Sequence, residues 1–203
     1  LIHVAHDGVD ERFFAPPISK ELARERLGIT TEKPVVMYIG EFDAWKGVDT
    51  LFGAVGEGDS YVVYVIGGRN SDELARVREA YPAVVFLGPR PYKELPEHQQ
   101  AADILVLPNT GKNLLASAYT SPLKLFTYMT AQKPIVASRI PSVTNVLTDD
   151  DAYFFVPDDS ESLRATLHEV VAHTEEARKR ALRAYTKSMR YTWKERAFAI
   201  LTF

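Results

Sequence analysis

The sequence TSPLKLFTYM at residues 120–129, followed by QKPIVAS at residues 132–138, is the stretch on which the rest of the chain is organised. It has the pattern of a loop that passes into a helix and then into a short buried strand. Ser121 is predicted to cap the helix, and Pro122 suits its first turn, where a missing amide hydrogen costs nothing. The unpaired N–H groups of that turn, with Lys124 beside them, predict a positively polarised pocket that suits a phosphate. An ordinary capped amphipathic helix is the alternative interpretation.

The composition limits the classes of protein to consider. The chain has 203 residues, of which 46% are hydrophobic and 25% charged, so it can bury a globular core. Its net charge of −3 argues against a general nucleic-acid binder. There is no cysteine, and the five histidines show no metal-ligand spacing, so no metal site is predicted. No apolar run approaches the ~18 residues of a membrane span. Because the chain begins Leu-Ile-His, we expect a fragment of a longer protein.

Short apolar runs alternate with helix-like segments along most of the chain. The first run, PVVMYIG at residues 34–40, is typical of a strand that is buried on both faces of a parallel sheet. Five further runs follow, at residues 61–66, 84–87, 104–107, 135–137 and 153–156, and helix-like segments begin near residues 19, 46, 71, 92, 122 and 142. This alternation predicts an α/β fold with a Rossmann-like parallel sheet of about six strands and helices on both faces. Ligands of such sheets bind at the carboxyl ends of the strands, where the helix after Pro122 begins.

Three regions are expected: an entry or linker segment at residues 1–18, the α/β domain at 19–158, and a helical tail at 159–203. Tail residues Leu163, Leu167, Val170 and Val171 mark one apolar face. The tail also carries eight basic residues, namely Arg178, Lys179, Arg180, Arg183, Lys187, Arg190, Lys194 and Arg196. These predict either a solvated helix face or peripheral contact with anionic lipid at the inner face of a membrane.

Several short motifs recur in a recognisable order. They are HDGVD at 6–10, YIG at 38–40 with WKGVD at 45–49, VIGG at 65–68, FLG at 86–88, ADILVLP at 102–108, SPLKLF at 121–126 and YTW at 191–193. Each motif is weak by itself, but their order and spacing run through nearly the whole chain. Together they resemble the C-terminal, nucleotide-sugar-binding half of GT-B-fold glycosyltransferases of the retaining family 4, or group 1.

The resemblance implies a function and a set of residues. Such enzymes bind a nucleoside-diphosphate sugar, here a UDP- or GDP-sugar, while a separate N-terminal domain holds the acceptor. Transfer retains the anomeric configuration and uses no bound metal, so protein cations and helix-end amides must stabilise the leaving diphosphate. Lys46 and Lys124 match the cations at the diphosphate, and Gly40 lets the backbone approach the ligand. The other matched donor-binding positions are Gly88, Arg90, Ser121, Pro122, Leu123 and Thr127, with the loop of Gly88 and Arg90 beside the nucleobase. A cytoplasmic location and a role in cell-surface polysaccharide or glycolipid synthesis are implied as well.

The chain departs from that pattern at four positions. Tyr119 and Thr127 stand where two glutamates eight residues apart are usual, one near the donor sugar and one on the ribose. Glu41 replaces an arginine, and Asn145 stands where a glutamate is common. A threonine hydroxyl offers one neutral hydrogen bond where a carboxylate accepts two charge-assisted ones.

Two alternatives to the donor half of a glycosyltransferase therefore stay open. One is a catalytically degenerate GT-B-like binding or partner module, and the other is a nucleotide-sugar 2-epimerase. The chain alone is expected to be inactive, because the acceptor domain is not in it. Its last helices, around YTW at 191–193, are expected to expose an apolar patch toward that domain.

Overall fold

The apolar runs of the sequence form parallel strands in the computed structural model, which describes residues 5–15 and 17–202. Within those residues the strands are β1 (Val35–Ile39), β2 (Val62–Ile66), β3 (Val84–Gly88), β4 (Ile104–Leu107), β5 (Ile135–Ser138) and β6 (Tyr153–Phe155). They form one six-stranded sheet, ordered β3-β2-β1-β4-β5-β6, in which every neighbouring pair is parallel. The predicted Rossmann-like α/β fold is confirmed.

Helices connect and flank the strands. They are α1 (Lys20–Leu27), α2 (Val48–Gly53), α3 (Ser71–Ala80), α4 (Leu95–Gln100), α5 (Leu123–Thr130), α6 (Pro141–Thr144), α7 (Ser160–Ala172), α8 (Thr174–Ser188) and α9 (Trp193–Leu201). The first begins and ends as its sequence predicts. The Ser19 side chain accepts a hydrogen bond from the Leu22 N–H, and Gly28 ends α1 in the left-handed conformation.

Two separate cores lie on the two faces of the sheet, because successive strand residues point to opposite sides. On one face, Met37 and Leu105 pack with residues of α1, α5 and α8. On the other face, Val36 and Val63 pack with residues of α2, α3 and α7. The prediction of helices on both faces is therefore confirmed. The strands are continuous apolar runs because helices cover both faces of the sheet and shield them from water.

Two helix starts differ from the sequence prediction. Lys46 does not open α2; it ends a 3-10 turn at Ala44–Lys46, and Gly47 separates that turn from α2. The helix predicted from residue 92 begins at Leu95, after a 3-10 turn at Tyr92–Glu94. Pro96 explains the second shift, since proline is tolerated only in the first turn of a helix.

The tail is helical, as predicted, and half of its eight basic residues form ion pairs within the chain. Leu163, Leu167 and Val170 are buried against the sheet. Four of the eight basic residues form ion pairs: Arg180 and Arg183 with Glu176, Lys187 with Asp151, and Arg196 with Asp7. These pairs favour the interpretation of a solvated helix face over a lipid-binding one. Within the described part of the chain, every helix is too short or too polar to cross a bilayer.

The entry segment connects the tail to the start of α5. The Val9 N–H donates to the Tyr191 carbonyl at 2.8 Å, and Val9 forms a parallel bridge with Thr192. Asp7 pairs through its carboxylate with Arg196 and donates its N–H to the Ser121 hydroxyl. Residues 1–4 and 16 of the predicted 1–18 segment, and residue 203 of the tail, lie outside the described residues.

Candidate functional site

A crevice opens where the two halves of the sheet diverge. Strands β1 and β4 are neighbours, but the chain leaves β1 toward β2 and leaves β4 toward β5, on opposite sides. The loops after such strands separate above the sheet, and this is where open parallel sheets bind ligands. One hydrogen bond nevertheless joins the two loops: the Thr110 N–H donates to the Trp45 carbonyl at 3.3 Å. The predicted binding edge is thus a single crevice between β1 and β4.

Helix α5 begins at this crevice and is fixed to the end of β1. The Tyr128 hydroxyl, fully buried, accepts a hydrogen bond from the Ile39 N–H at 2.9 Å. Ile39 immediately precedes Gly40, so the contact sets the distance between the helix and the loop after β1. Nothing in the sequence pattern assigned Tyr128 this role.

The predicted cap by Ser121 is wrong. Pro122 occupies the cap position, α5 begins at Leu123, and the helix start receives no side-chain hydrogen bond. The Ser121 hydroxyl instead accepts from the Asp7 N–H at 2.9 Å. The entry segment, which is distant in sequence, uses that hydroxyl as an acceptor. Helix-capping rules consider only neighbouring residues and therefore do not predict this contact. The Leu125 N–H of the first turn donates to the Pro122 carbonyl at 2.8 Å, while the N–H groups of Leu123 and Lys124 have no hydrogen-bond partner among the described residues.

Lys124 places a buried cation at the mouth of the crevice. Its Nζ is inaccessible to solvent and has no hydrogen-bond partner among the described residues. The Lys124 Nζ lies over the ring of Tyr38, 3.8 Å from the ring centroid. Burial lowers the pKa of Lys124 well below its usual value, and the positive charge of Lys46 lowers this pKa further. Both effects favour the neutral amine in the free protein, and an anion bound beside Nζ would favour the ammonium.

Two glycines make room for this arrangement. Gly40 has φ +154°, and a Cβ on it would collide with the Lys124 ammonium. Gly67 has φ +147°, and a Cβ on it would collide with the Gly40 carbonyl. Both values lie where side-chain-bearing residues are strained. The sequence predicts that a ligand approaches the backbone at Gly40. In the structure, the group that lies closest to this position is the Lys124 side chain.

Lys46 lies beside this point in an ion-pair cluster that the sequence did not reveal. Its Nζ is 3.6 Å from the Asp43 carboxylate and 4.9 Å from the centroid of the Trp45 ring. The same carboxylate pairs with Arg69, which follows Gly68 in the loop after β2. The cluster brings Lys46 and Arg69 to the same edge of the sheet. The sequence offers one indication that Arg69 belongs to the site, because it comes directly after the glycine pair that follows β2.

Glu41 is drawn into the same cluster. Its carboxylate lies 3.4 Å from the Arg69 guanidinium, and its side chain is more than half exposed. Arg69 therefore offsets the negative charge that the sequence places where an arginine is usual.

A cavity of about 410 Å³ lies along the crevice. Of the predicted donor-binding residues, it is lined by Gly40, Arg90, Leu123, Lys124 and Thr127. The remaining predicted residues, Lys46, Gly88, Ser121 and Pro122, lie outside its lining. Gly88 instead ends β3 and accepts a hydrogen bond from the Gly67 N–H. The structure thus gathers five predicted positions around one space.

Part of the cavity lining consists of ring and apolar side chains. Pro91, Tyr92 and Leu95 line it, together with His98. His98 is buried, and its burial lowers the pKa of the imidazole, so the neutral form is favoured. Arg90 is exposed beside these residues. Such a surface can stack and hydrogen-bond a flat heterocycle.

Thr127 lines the cavity, while two other departures from the expected pattern, Tyr119 and Asn145, are not among its lining residues. Thr127 is 5% exposed, and its hydroxyl donates to the Lys124 carbonyl at 3.0 Å. It also accepts from the buried Gln99 amide at 3.2 Å, a contact that no local pattern signals. Tyr119 is 76% exposed in a π-helical turn before α5, and Asn145 ends α6.

Comparisons with known proteins place this geometry among sugar transferases. A family model described as glycosyl transferases group 1 matches residues 33–173. A D-inositol 3-phosphate glycosyltransferase of Xylanimonas cellulosilytica is 26% identical over 98% of this chain and 50% of its own. The C-terminal domain of the group 1 protein LpcC from Francisella tularensis aligns with TM-score 0.74 and 17% identity, over 92% of this chain and 100% of its own.

A second solved structure, Anabaena Alr3699/HepE in complex with UDP and glucose, aligns with TM-score 0.76 and 18% identity. The alignment covers 96% of this chain and 53% of the Anabaena one. Identities this low show the shared fold alone. The chain spans about half the length of the first curated relative that it matches.

Proposed function

Because the chain belongs to the glycosyl transferases group 1 family, we propose that it is the donor-binding half of a retaining glycosyltransferase. It binds a nucleoside-diphosphate sugar in the crevice between β1 and β4, and the sugar passes to an acceptor without a bound metal. The observation that carries this proposal is the Lys124 Nζ, which is buried in the first turn of α5 without a hydrogen-bond partner among the described residues.

In this proposal, the donor-binding half stabilises the leaving group of the transfer reaction. When the bond between the anomeric carbon and the diphosphate oxygen breaks, negative charge develops on the diphosphate. Lys124 and the amides of the α5 first turn meet that charge in a water-poor site, where fixed cations and dipoles are most effective. Lys46 adds a second cation that is held by Asp43. The base lies against Pro91, Tyr92 and Leu95, which line the same cavity.

The acceptor belongs to a further domain that packs against α9. This helix has no buried residue among those described, and it exposes Trp193, Phe198, Ile200 and Leu201. An apolar surface of this kind on a chain half as long as its relatives supports an interface with the absent half. The proposal includes a cytoplasmic location, where nucleotide sugars are made, and a product in the class of cell-surface polysaccharides or glycolipids.

A thermal-shift panel of the chain with UDP, GDP, ADP and their sugar conjugates tests the donor site. A ligand that binds the folded state raises the melting temperature by mass action. The proposal expects a shift with at least one base, lost in Lys124→Met and kept in Lys179→Met, the same substitution at an exposed lysine of α8. No shift with any base would overturn it.

A degenerate binding module is the second candidate, and the occupied hydroxyl of Thr127 favours it. Nucleotide binding alone does not separate the two candidates. A longer protein that contains the acceptor domain would turn over its nucleotide sugar under the first proposal. Under the second, it would bind the nucleotide and release no free diphosphate product.

A further inference from the structure

We infer that a second cavity, bordered by the entry segment, α4, the end of α5 and α8, binds a small aromatic carboxylate whose ring system carries a hydrogen-bond donor. The cavity has a volume of about 440 Å³, which lies within the usual range for sites that take a small molecule. None of the described residues that line it also lines the crevice between β1 and β4, so the inference does not depend on the proposed function.

A buried amide of α4 provides the first observation. Gln99 lines the second cavity and is 1% exposed. Its Nε2 donates to the Thr127 hydroxyl at 3.2 Å, and that hydroxyl uses its own hydrogen on the Lys124 carbonyl at 3.0 Å. Because Thr127 can then only accept, the Gln99 atom beside it must be the nitrogen, and the orientation of the amide is fixed.

The other end of this amide is the Gln99 Oε1. It accepts no hydrogen bond from a described residue, although nearly all buried polar atoms in proteins have a partner. A ligand that displaces water from the cavity without offering a donor would leave this oxygen unsatisfied, at a cost in affinity. The amide therefore favours a ligand that has an N–H or O–H group.

Ring and apolar side chains form a second feature of the lining. They are Phe13, Phe14, Pro17, Ile18, Pro96 and Tyr185. The rings of Phe14 and Tyr185 are half-buried, and their centroids lie 6.2 Å apart at an interplanar angle of 55°. Aromatic side chains attract a further ring through stacked and edge-to-face contacts. The lining therefore favours a ligand with an aromatic body over a purely polar one.

The charged groups of the lining favour an anion. Arg12 and Lys93 line the cavity, and Glu97 carries the only carboxylate among the described lining residues. Glu97 pairs with Arg26, which lies outside the lining, so its charge is offset from elsewhere. The remaining excess is positive and attracts a carboxylate. Because Arg12 and Lys93 are exposed, this attraction changes the affinity by only a small factor.

Titration of the 203-residue chain with indole-3-acetate, followed by heteronuclear NMR, tests the inference. This probe combines a flat ring system, a ring N–H and a carboxylate, and we expect saturable shifts of the Gln99 side-chain amide signals. 1-Methylindole-3-acetate lacks the N–H and should bind about 2- to 10-fold more weakly. Indole-3-acetamide lacks the charge and should bind about 2- to 5-fold more weakly. Acetate, which has no ring, should not shift these signals at the same concentrations.

Two variants assign these differences to residues. Gln99→Met removes the amide, so indole-3-acetate and its 1-methyl derivative should then bind equally well. Lys93→Met should reduce the difference between indole-3-acetate and indole-3-acetamide. Lys179→Met, at an exposed position of α8, should leave every affinity unchanged. The ligand comparison in the unaltered chain still decides if the Gln99 variant does not fold.

Three results would overturn the inference. The first is equal affinity of the unaltered chain for indole-3-acetate and its 1-methyl derivative, and the second is the lack of a saturable shift at Gln99. The third is full displacement of the probe by a nucleoside diphosphate, which would place the probe in the crevice. A failure of nucleotides to bind would overturn the proposed function and leave this inference intact.

Discussion

The Lys124 ammonium and the Tyr38 ring form a cation–π contact, with 3.8 Å between Nζ and the ring centroid. Tyr38 is fully buried in β1, and its hydroxyl donates to the Glu41 carbonyl at 2.8 Å, so the ring is fixed. A ring face attracts a cation far less than a carboxylate does. The contact therefore holds Lys124 in place without offering it a negative charge, and Nζ stays available for an anionic ligand.

Replacing Lys124 should make the free protein more stable. Lys124→Met keeps the length of the side chain and removes a buried amino group that has no hydrogen-bond partner among the described residues. Unpaired buried polar groups cost about 1–3 kcal/mol, so we expect the melting temperature to rise by roughly 2–12 °C. Differential scanning calorimetry without ligand measures this. Lys179→Met, at an exposed position, should leave the melting temperature unchanged, and a lower one for Lys124→Met would contradict the account.

Nucleotide binding should be coupled to proton uptake. The pKa of Lys124 is lowered in the free protein by burial and by Lys46. A bound diphosphate raises this pKa again, because an opposite charge favours the ammonium. Between the two values the complex holds more protons than the free protein, so affinity rises as pH falls and levels off below the free-state pKa. Calorimetry in two buffers of different ionisation enthalpy measures the uptake, which should vanish in Lys124→Met.

The Asp43 carboxylate should compete with an anionic ligand for the cations around it. Asp43→Asn keeps a hydrogen-bonding group beside Lys46 and Arg69 but removes the negative charge. We expect the affinity for a nucleoside diphosphate to rise by about 3- to 10-fold. Titration calorimetry at low salt checks this, with Asp150→Asn, at the exposed opposite edge of the sheet, as the control that should not change. Weaker binding by Asp43→Asn would mean instead that Asp43 mainly positions Lys46.

Gly40→Ala should destabilise the chain more than an ordinary glycine substitution does. At Gly40 the new Cβ meets both an unfavourable φ of +154° and the Lys124 ammonium, whereas at Gly28 it meets φ +68° and open space. Gly28→Ala should therefore cost about 1 kcal/mol for the backbone alone, and Gly40→Ala more than about 2 kcal/mol. Urea denaturation measures both. Equal costs would show that Lys124 moves aside freely.

The exposed face of α9 should be dispensable for the stability of this chain. Phe198 is 65% exposed and Leu201 84% exposed, so Phe198→Ser and Leu201→Ser should each change the free energy of unfolding by less than about 0.5 kcal/mol. In a longer protein that contains the acceptor domain, the same changes should weaken the interface and lower transfer activity. Full activity of the double variant would remove α9 from the proposed interface.

The fold could be predicted because each strand is a local apolar run, and glycines mark the ends of the first three. Runs such as residues 34–40 are apolar throughout, since both faces of the sheet are covered. The site was harder to predict from the sequence, because its main contacts join parts of the chain that are far apart in sequence. Ser121 bonds to Asp7 rather than to its own helix, and Thr127 bonds to Gln99.

Charge partners were the other feature that the sequence left open. Glu41 reads as an unfavourable charge beside the phosphates until Arg69, 28 residues later, is seen to pair with it. Lys46 reads as a free cation until Asp43 is placed beside it. Sequence spacing identifies which residue types reach an edge of the sheet, but the pairing among them depends on loop conformation.

Titration of Lys124→Met and the unaltered chain with a nucleoside diphosphate and with the corresponding nucleoside tests the central claim most directly. If the Lys124 ammonium holds the diphosphate, the substitution should weaken binding of the diphosphate by about 100-fold or more and leave the nucleoside unaffected. Equal losses for both ligands, or an unchanged affinity for the diphosphate, would contradict the account.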